Sequence, residues 1–346
     1  MGATGQGRHQ QRFYLPTLVL LGVFLLFLFV STSSVEGRTR ASGKLRSGEA
    51  RKSAPVTMSA VASSSSLRGA VERVAPIPRL LYGTAWKKAR TAGLVEQALR
   101  AGFRGVDTAC QPKHYQESGV GEGVRNAIAK GILTRGELFL QTKFTSPSGQ
   151  DKNNIPYDAS APLEEQVKQS LAASMRNLGT DYIDSLVLHS PMRRFEDTLT
   201  VWRQFESFVR SGSVRYIGLS NCYELEVLEK LWDVATVKPR FLQNRFHSET
   251  GYDTEIRRFC AEKGITYQSF WTLTANPDKV KSPPVRALAK KYEKTPEQIW
   301  FAFVLSLPGS PIILSGTTNE DHMKEDLEVP TLSLSADETK SIAALL

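Results

Sequence analysis

What most constrains this chain is a rhythm that begins near residue 77 and runs onward: short apolar runs alternate with segments whose apolar residues recur at helical spacing. Runs at 80–84, 104–107, 138–144, 184–188, 214–219, 241–243, 265–270 and 312–314 read as strands. Between them, Leu94, Ala98 and Leu99 mark one helical face, Val167, Leu171, Met175 and Leu178 another, and Trp202, Phe205 and Val209 a third. Further helices are expected over 119–129, 225–231, 256–262 and 296–305, with Gly102 and Gly212 as stops. Eight strands alternating with helices over about 270 residues predict an α/β fold, a (β/α)8 barrel of the TIM type. No internal repeat is visible, so the prediction rests on periodicity alone.

The first 76 residues read differently. They carry ten Lys/Arg against three Asp/Glu, whereas the rest of the chain carries 34 against 32, so the basic pI belongs to the extension. The folded part shows no basic stripe and no Arg–aromatic interleaving, which argues against nucleic-acid binding. Residues 13–30 are uncharged and apolar, with Arg8 and Arg12 before them and Arg38, Arg40, Lys44 and Arg46 after. Residues 1–34 are therefore expected to be a signal peptide or a signal-anchor with one hydrophobic helix. Residues 35–76, basic and Ser-rich, are expected to be a disordered linker or transit-like segment, with the barrel over 77–346. An uncleaved segment would tie the barrel to a membrane on its cytosolic side; a cleaved one suits a two-part plastid presequence. The three cysteines, Cys110, Cys222 and Cys260, form no disulfide framework, and no Asn-x-Ser/Thr site argues for secretion.

Polar groups that are costly to bury stand where the predicted strands end, which in barrels is the face that carries chemistry. Asp107 closes one run, Tyr115 follows it in the stretch 102–117, Lys143 lies at the end of LFLQTKF, and His189 follows DSLVL. Taken singly each has a plain reading: Lys143 a lysine snorkelling to water, His189 a satisfied structural histidine. Taken together, at converging strand ends, they are candidates for one site of chemistry. His114 reads as loop surface, and Cys110 as a small buried residue near the site.

From residue 80 onward the chain resembles the aldo-keto reductases. The matching motifs are GTAW at 83–86, GFRGVDTA at 102–109, Tyr115 with Gln116 and Glu117, TKF with Lys143, LVLHSP ending at Pro191, IGLSN at 217–221, and Gln243. The resemblance implies that Asp107, Tyr115, Lys143 and His189 are catalytic in reducing a carbonyl, with Trp86 walling the substrate pocket beside His189. Tyr115 would be the proton donor; an unperturbed phenol, with a pKa of about 10, is a weak acid near neutrality, and Lys143, held charged by Asp107, is expected to lower that pKa while His189 orients the carbonyl. It implies cofactor contacts from Thr84, Ala85, Ser220, Asn221, Gln243, Phe270, Ser315, Gly316, Thr317 and Glu325, with Phe270 in place of the family's stacking tyrosine. NADP(H) is the expected cofactor and a small carbonyl compound the expected substrate of a monomer.

Three departures stand out. QPKH widens the spacing between Asp107 and Tyr115, as in a subgroup that also carries YQSFWTLTANP, here at 267–277. At the adenosine end SGTTN replaces a Lys-Ser-x-Thr stretch, which leaves NAD(H) open unless Lys279, Lys281 or Lys324 compensates. The final segment, ADETKSIAALL, stops short of the loop that covers the pocket in many relatives, so a more open mouth is expected, walled by Trp86 and 146–162. The rival reading is a cofactor-binding regulatory subunit of a membrane channel or complex, which the intact set of four disfavours. A metal-dependent barrel hydrolase lacks its ligand cluster, and no metal is expected.

Overall fold

Parallel neighbours need a crossover, and each strand of this protein is followed by a helical or looping return that brings the next strand in alongside. The computed structural model describes residues 75–346. Its strands are β1 (Leu80–Gly83), β2 (Gly105–Asp107), β3 (Phe139–Phe144), β4 (Ile183–Leu188), β5 (Val214–Ser220), β6 (Phe241–Arg245), β7 (Thr266–Phe270) and β8 (Ile312–Ser315). They close into one parallel barrel in chain order, with Leu80 of β1 opposite Ile313 of β8. The predicted eight-stranded barrel is thus the observed fold. The membrane or signal segment expected at 13–30, and the linker after it as far as residue 74, lie outside the described residues. Among the described residues no helix is long and apolar enough to cross a membrane.

The helices are α1 (Thr91–Ala101), α2 (Glu117–Ala129), α3 (Leu163–Leu178), α4 (Phe195–Arg210), α5 (Leu225–Val234), α6 (Thr254–Lys263), α7 (Pro277–Val280), α8 (Pro283–Tyr292), α9 (Pro296–Ser306), α10 (Glu320–Glu328) and α11 (Ala336–Ala343). Sequence periodicity missed α8 and α10 for a physical reason. Only Val285 and Ala289 of α8, and only Met323 and Asp326 of α10, are buried, too few to draw an apolar stripe. Capping holds α10 instead, because the Asn319 side chain accepts from the backbone N–H groups of Asp321 and His322. By contrast α9 is buried almost throughout, opened by the Thr295–Gln298 capping box and Pro296.

The two-residue period of a strand stacks the barrel interior in layers. Leu81, Phe139, Phe241 and Ile312 plug its lower end, with Phe139 and Phe241 edge to face at 5.7 Å. Ala75 packs into the same cluster, so the fold is already under way before residue 77. Gly105 makes room for this plug: a Cβ there would come within 2.4 Å of Leu81 Cδ2. Two residues further along, the inward positions turn polar, with Gln141 on β3, Gln243 on β6 and Gln268 on β7. One more step reaches Lys143, Arg245 and Phe270 at the carboxyl ends. Along β3 and β6 the inward positions thus climb from apolar plug, through an amide layer, to the mouth.

Candidate active site

The amide layer holds the charge above it. Asp107 Oδ1 accepts from Gln141 Nε2 at 2.8 Å and from Gln243 Nε2 at 3.0 Å. Gln268 closes the ring, accepting from both glutamines and donating to Gln141 Oε1. Lys143 Nζ spends its three protons on Asp107 Oδ1 (2.7 Å), Asp107 Oδ2 (2.6 Å) and the Thr108 carbonyl (2.8 Å). The ammonium and the carboxylate are both shut away from water, a pair that burial tolerates because all three ammonium protons and both carboxylate oxygens are hydrogen-bonded. Burial pushes the Lys143 pKa down, and Asp107 opposes that push.

Tyr115 and His189 sit over this pair. The β2–α2 connection folds into a turn in which Gln111 O receives the N–H groups of His114 and Tyr115. It brings the Tyr115 ring to 5.2 Å from Lys143 Nζ and 6.1 Å from the His189 ring. The expectation that Lys143 lowers the phenol's pKa does not hold here: burial, with the Asp107 charge behind it, pushes Tyr115 up. The reason is that Lys143 gives its protons to Asp107 and Thr108, so the phenol faces a nearly neutral pair in a desolvated place. His189 is driven down to about 3 by burial and by the Lys143 charge, so its ring is neutral throughout the physiological range. Thr145 Oγ1 lies 2.6 Å from His189 Nδ1, and Asn221 Nδ2 holds the His189 carbonyl at 2.8 Å.

The QPKH insertion is part of the wall. His114, read from sequence as loop surface, lines the cavity and stacks on Trp86 with ring centroids 4.0 Å apart. A backbone bond from Trp86 N to His114 O fixes the pair at 2.7 Å, and Trp86 takes a left-handed φ of 63° to present its ring. Residues 145–149 furnish part of the opposite wall. Cys110 is buried beside Ser170 and its thiol is pushed up to about 12, so it stays a protonated packing group.

A cavity of about 970 Å³ runs from Trp86, Tyr115 and His189 across the barrel mouth to α10. Among the expected cofactor contacts, Ala85, Ser220, Asn221, Gln243, Phe270, Ser315, Gly316, Thr317 and Glu325 line it. Thr84 does not: it is fully buried and its hydroxyl donates to the Asp107 carbonyl at 2.8 Å. The side chains of Gln243 and Ser315 are already partly engaged, Gln243 with Asp107 and Gln268, Ser315 with Asp326 Oδ2 at 2.5 Å.

The lysines expected to compensate at the far end do not reach it. Lys279 donates to the Leu345 carbonyl, Lys281 is exposed, and Lys324 is drawn off by Glu320 and Asp321 on its own helix. Two other cations line the cavity. Lys87 donates to the Gly316 carbonyl. Arg245 lies over the Trp271 ring at 4.2 Å, has no ion pair to a carboxylate among the described residues, and buries an unpartnered Nε. The strand period could have found Arg245, two residues past Gln243 on the same face. Asp326 and His322 were missed with α10. Burial raises the Asp326 carboxyl to about 6 despite the Ser315 hydrogen bond.

Comparison with known proteins agrees with this architecture. The model of the aldo/keto reductase family matches residues 81–346. An uncharacterized oxidoreductase of Bacillus subtilis, YtbE, is 28% identical over 252 residues, 72% of this chain and 82% of the relative. An NAD/NADP-dependent indole-3-acetaldehyde reductase of Schizosaccharomyces pombe is 28% identical over 273 residues, covering 75% and 87%. A crystal structure of an aldo/keto reductase from Brucella melitensis superposes with a TM-score of 0.66 at 25% identity, over 78% of this chain and 95% of that one.

Proposed function

Because the chain belongs to the aldo/keto reductase family, we propose that it reduces aldehydes or ketones to alcohols with NADP(H), Tyr115 giving the proton. The observation that carries this reading is the sealed Lys143–Asp107 pair beneath Tyr115 and His189, at one end of a cavity of about 970 Å³ whose lining reaches α10. The residues present suit that group. Gln243 has both amide protons committed, while its Oε1 takes no hydrogen bond from the described residues and is left to accept from a carboxamide. Phe270 offers an aromatic face at the next strand end. Arg245 and Lys87 line the route from there to α10, where a diphosphate would need cations. The reductase from S. pombe carries NAD/NADP dependence in its name, in keeping with this choice.

When bound, the reduced nicotinamide supplies a hydride to the carbonyl carbon. This chain's residues manage the oxygen. His189, neutral, holds the carbonyl oxygen by a hydrogen bond, and Tyr115 donates its phenolic proton as negative charge develops there. Lys143 and Asp107 fix the floor against which Tyr115 is placed and resupply a polar environment without water. The raised pKa of Tyr115 has a directional consequence. A phenol that keeps its proton is always ready to protonate an alkoxide, whereas alcohol oxidation needs the phenolate. Carbonyl reduction is therefore expected to be flat between about pH 6 and 8, and alcohol oxidation to climb with pH across the same range. A reduction rate that falls through neutrality would contradict this.

The deciding experiment is NADPH and NADH oxidation with a panel of small aldehydes, parent beside Tyr115→Phe. Turnover that drops by roughly 10²–10⁴-fold in the variant, with cofactor affinity kept, supports the reading. Cofactor binding without Tyr115-dependent turnover would move it to a binding-only role.

A further inference from the structure

The contact between Thr145 and His189 has a consequence for the reaction that the four strand-end residues do not supply. Thr145 is the first residue after β3, and its backbone is tied down from two sides. Tyr157 Oη donates to its carbonyl at 2.6 Å and Gln150 Nε2 at 3.2 Å. Its methyl is boxed in as well: a Cβ on Gly149 would stand 2.7 Å from Thr145 Cγ2, so the chain passes close over that side. With methyl and carbonyl fixed, Oγ1 has one direction left, and it meets His189 Nδ1 at 2.6 Å. The imidazole is equally constrained, its backbone N–H on the Phe144 carbonyl and its own carbonyl under Asn221 Nδ2.

A hydroxyl beside a neutral imidazole can donate to the ring nitrogen or accept from it. The Thr145 hydroxyl is buried and makes no other side-chain bond among the described residues. Were Nδ1 to carry the ring proton, the hydroxyl proton would be buried without an acceptor, which is the costly arrangement. Were the hydroxyl to donate, both groups would be satisfied and the ring proton would stand on Nε2. That nitrogen takes no bond from the described residues and belongs to a ring lining the cavity next to Tyr115.

We propose that Thr145 is a positioning residue that fixes His189 as the Nε2–H tautomer, so that His189 and Tyr115 present two donors to one substrate oxygen. The idea rests on the reductase reading for its use, though not for its detection. Without Thr145 the ring could turn its lone pair toward the substrate carbonyl, where it repels the oxygen it should hold.

The test begins with the resting protein. ¹⁵N NMR of histidine-labelled protein, with the His189 signals assigned by their loss in His189→Gln, reads the tautomer without any turnover. The expected result is a protonated Nε2 and an unprotonated, hydrogen-bonded Nδ1 in the parent and in Thr145→Ser. In Thr145→Val the two tautomers should mix. With benzaldehyde and NADPH, kcat of Thr145→Val is expected to fall roughly 10- to 100-fold, part of the ~10²–10³ that a full oxyanion donor carries. KM and cofactor affinity should stay close to the parent's, and Thr145→Ser should recover kcat. A protonated Nδ1 in the parent overturns the proposal, as does Thr145→Val with parental tautomer and rate, or a Thr145→Ser protein as slow as Thr145→Val. Should Thr145→Val not fold, the parent spectrum and Thr145→Ser still decide. A parent with the expected tautomer and no turnover would sink the reductase reading and leave the tautomer assignment standing.

Discussion

The two ends of the long cavity are built on different principles. At the Tyr115 end the charges are paired and every glutamine is engaged through its Nε2: Lys143, Asp107 and the three glutamines form a connected set with no net charge. At the α10 end the polar groups are looser and mostly acidic, with Glu297, Glu325 and Asp326 on the wall, His322 among them, and Lys87 bound to a backbone carbonyl. The first end is dictated by strand register, since Asp107 pairs with Gln141 across β2–β3 and Gln243 with Gln268 across β6–β7. The second is set by a short strand, a connecting loop and a capped surface helix. On the proposed function, this places the chemistry in the rigid part of the barrel and leaves coenzyme choice to the part that tolerates change.

The most severe way to break the contrast is to open the closed set. Lys143→Met strands the Asp107 carboxylate in the barrel, and a loss of about 3–5 kcal/mol in folding stability is expected, read by urea unfolding. The double variant Asp107→Asn, Lys143→Met removes both charges and should recover much of that loss while remaining inactive. Equal destabilisation in the single and double variants would mean that packing, and not the unpaired charge, sets the cost.

This difference also explains what could be read before the structure. All eight strands and the placement of Asp107, Lys143 and His189 follow from period and order, because strand ends in a barrel have only one place to go. Tyr115 lies off the strands, in a turn, and was found through its motif. Thr145 was overlooked because a threonine after a strand looks like any other; only the blocked side at Gly149 gives it meaning. Arg245 was legible in principle, at the third inward position of β6 after Phe241 and Gln243. Asp326 was not, since α10 shows too thin an apolar stripe to be recognised as a helix. Burial, with the Asp107 charge behind it, pushes the Tyr115 phenol up against the expectation, and Lys143 does not offset this because its protons go to Asp107 and Thr108.

Between the two ends stands Arg245, and its removal should produce the next largest effect. A guanidinium stacked on Trp271, without a carboxylate partner among the described residues, suits a diphosphate, so Arg245→Leu should weaken cofactor binding by roughly 10-fold, the worth of one charge-assisted contact. NADPH and NADH share the diphosphate, and both should weaken alike in a tryptophan-fluorescence titration. A loss confined to NADPH would place Arg245 at the adenosine phosphate. Unchanged cofactor binding with a raised KM for carboxylate-bearing aldehydes would place it against the substrate.

The smallest expected effect probes the α10 end. Burial lifts the Asp326 carboxyl to about 6, above its ordinary value, so the protonated form is the one the fold favours. The sign follows: as pH rises through about 6 the group becomes a buried anion, its contribution to stability declines over that window, and its charge then opposes any phosphate placed nearby. On the proposed function the adenosine end lies here, and NADPH carries a phosphate that NADH lacks, so preference for NADPH should grow as pH falls. The phosphate itself titrates near 6, and the parent's pH profile cannot separate the two. Asp326→Asn can. It keeps an acceptor for Ser315 Oγ while removing the charge, and at pH 8 it should raise the NADPH to NADH ratio of kcat/KM roughly threefold, as befits a screened like-charge contact. Near pH 5 the variant and the parent should converge. A ratio that Asp326→Asn leaves untouched at both pH values would separate the adenosine phosphate from Ser315 and Asp326, and with it the contrast between a closed catalytic end and an acidic coenzyme end.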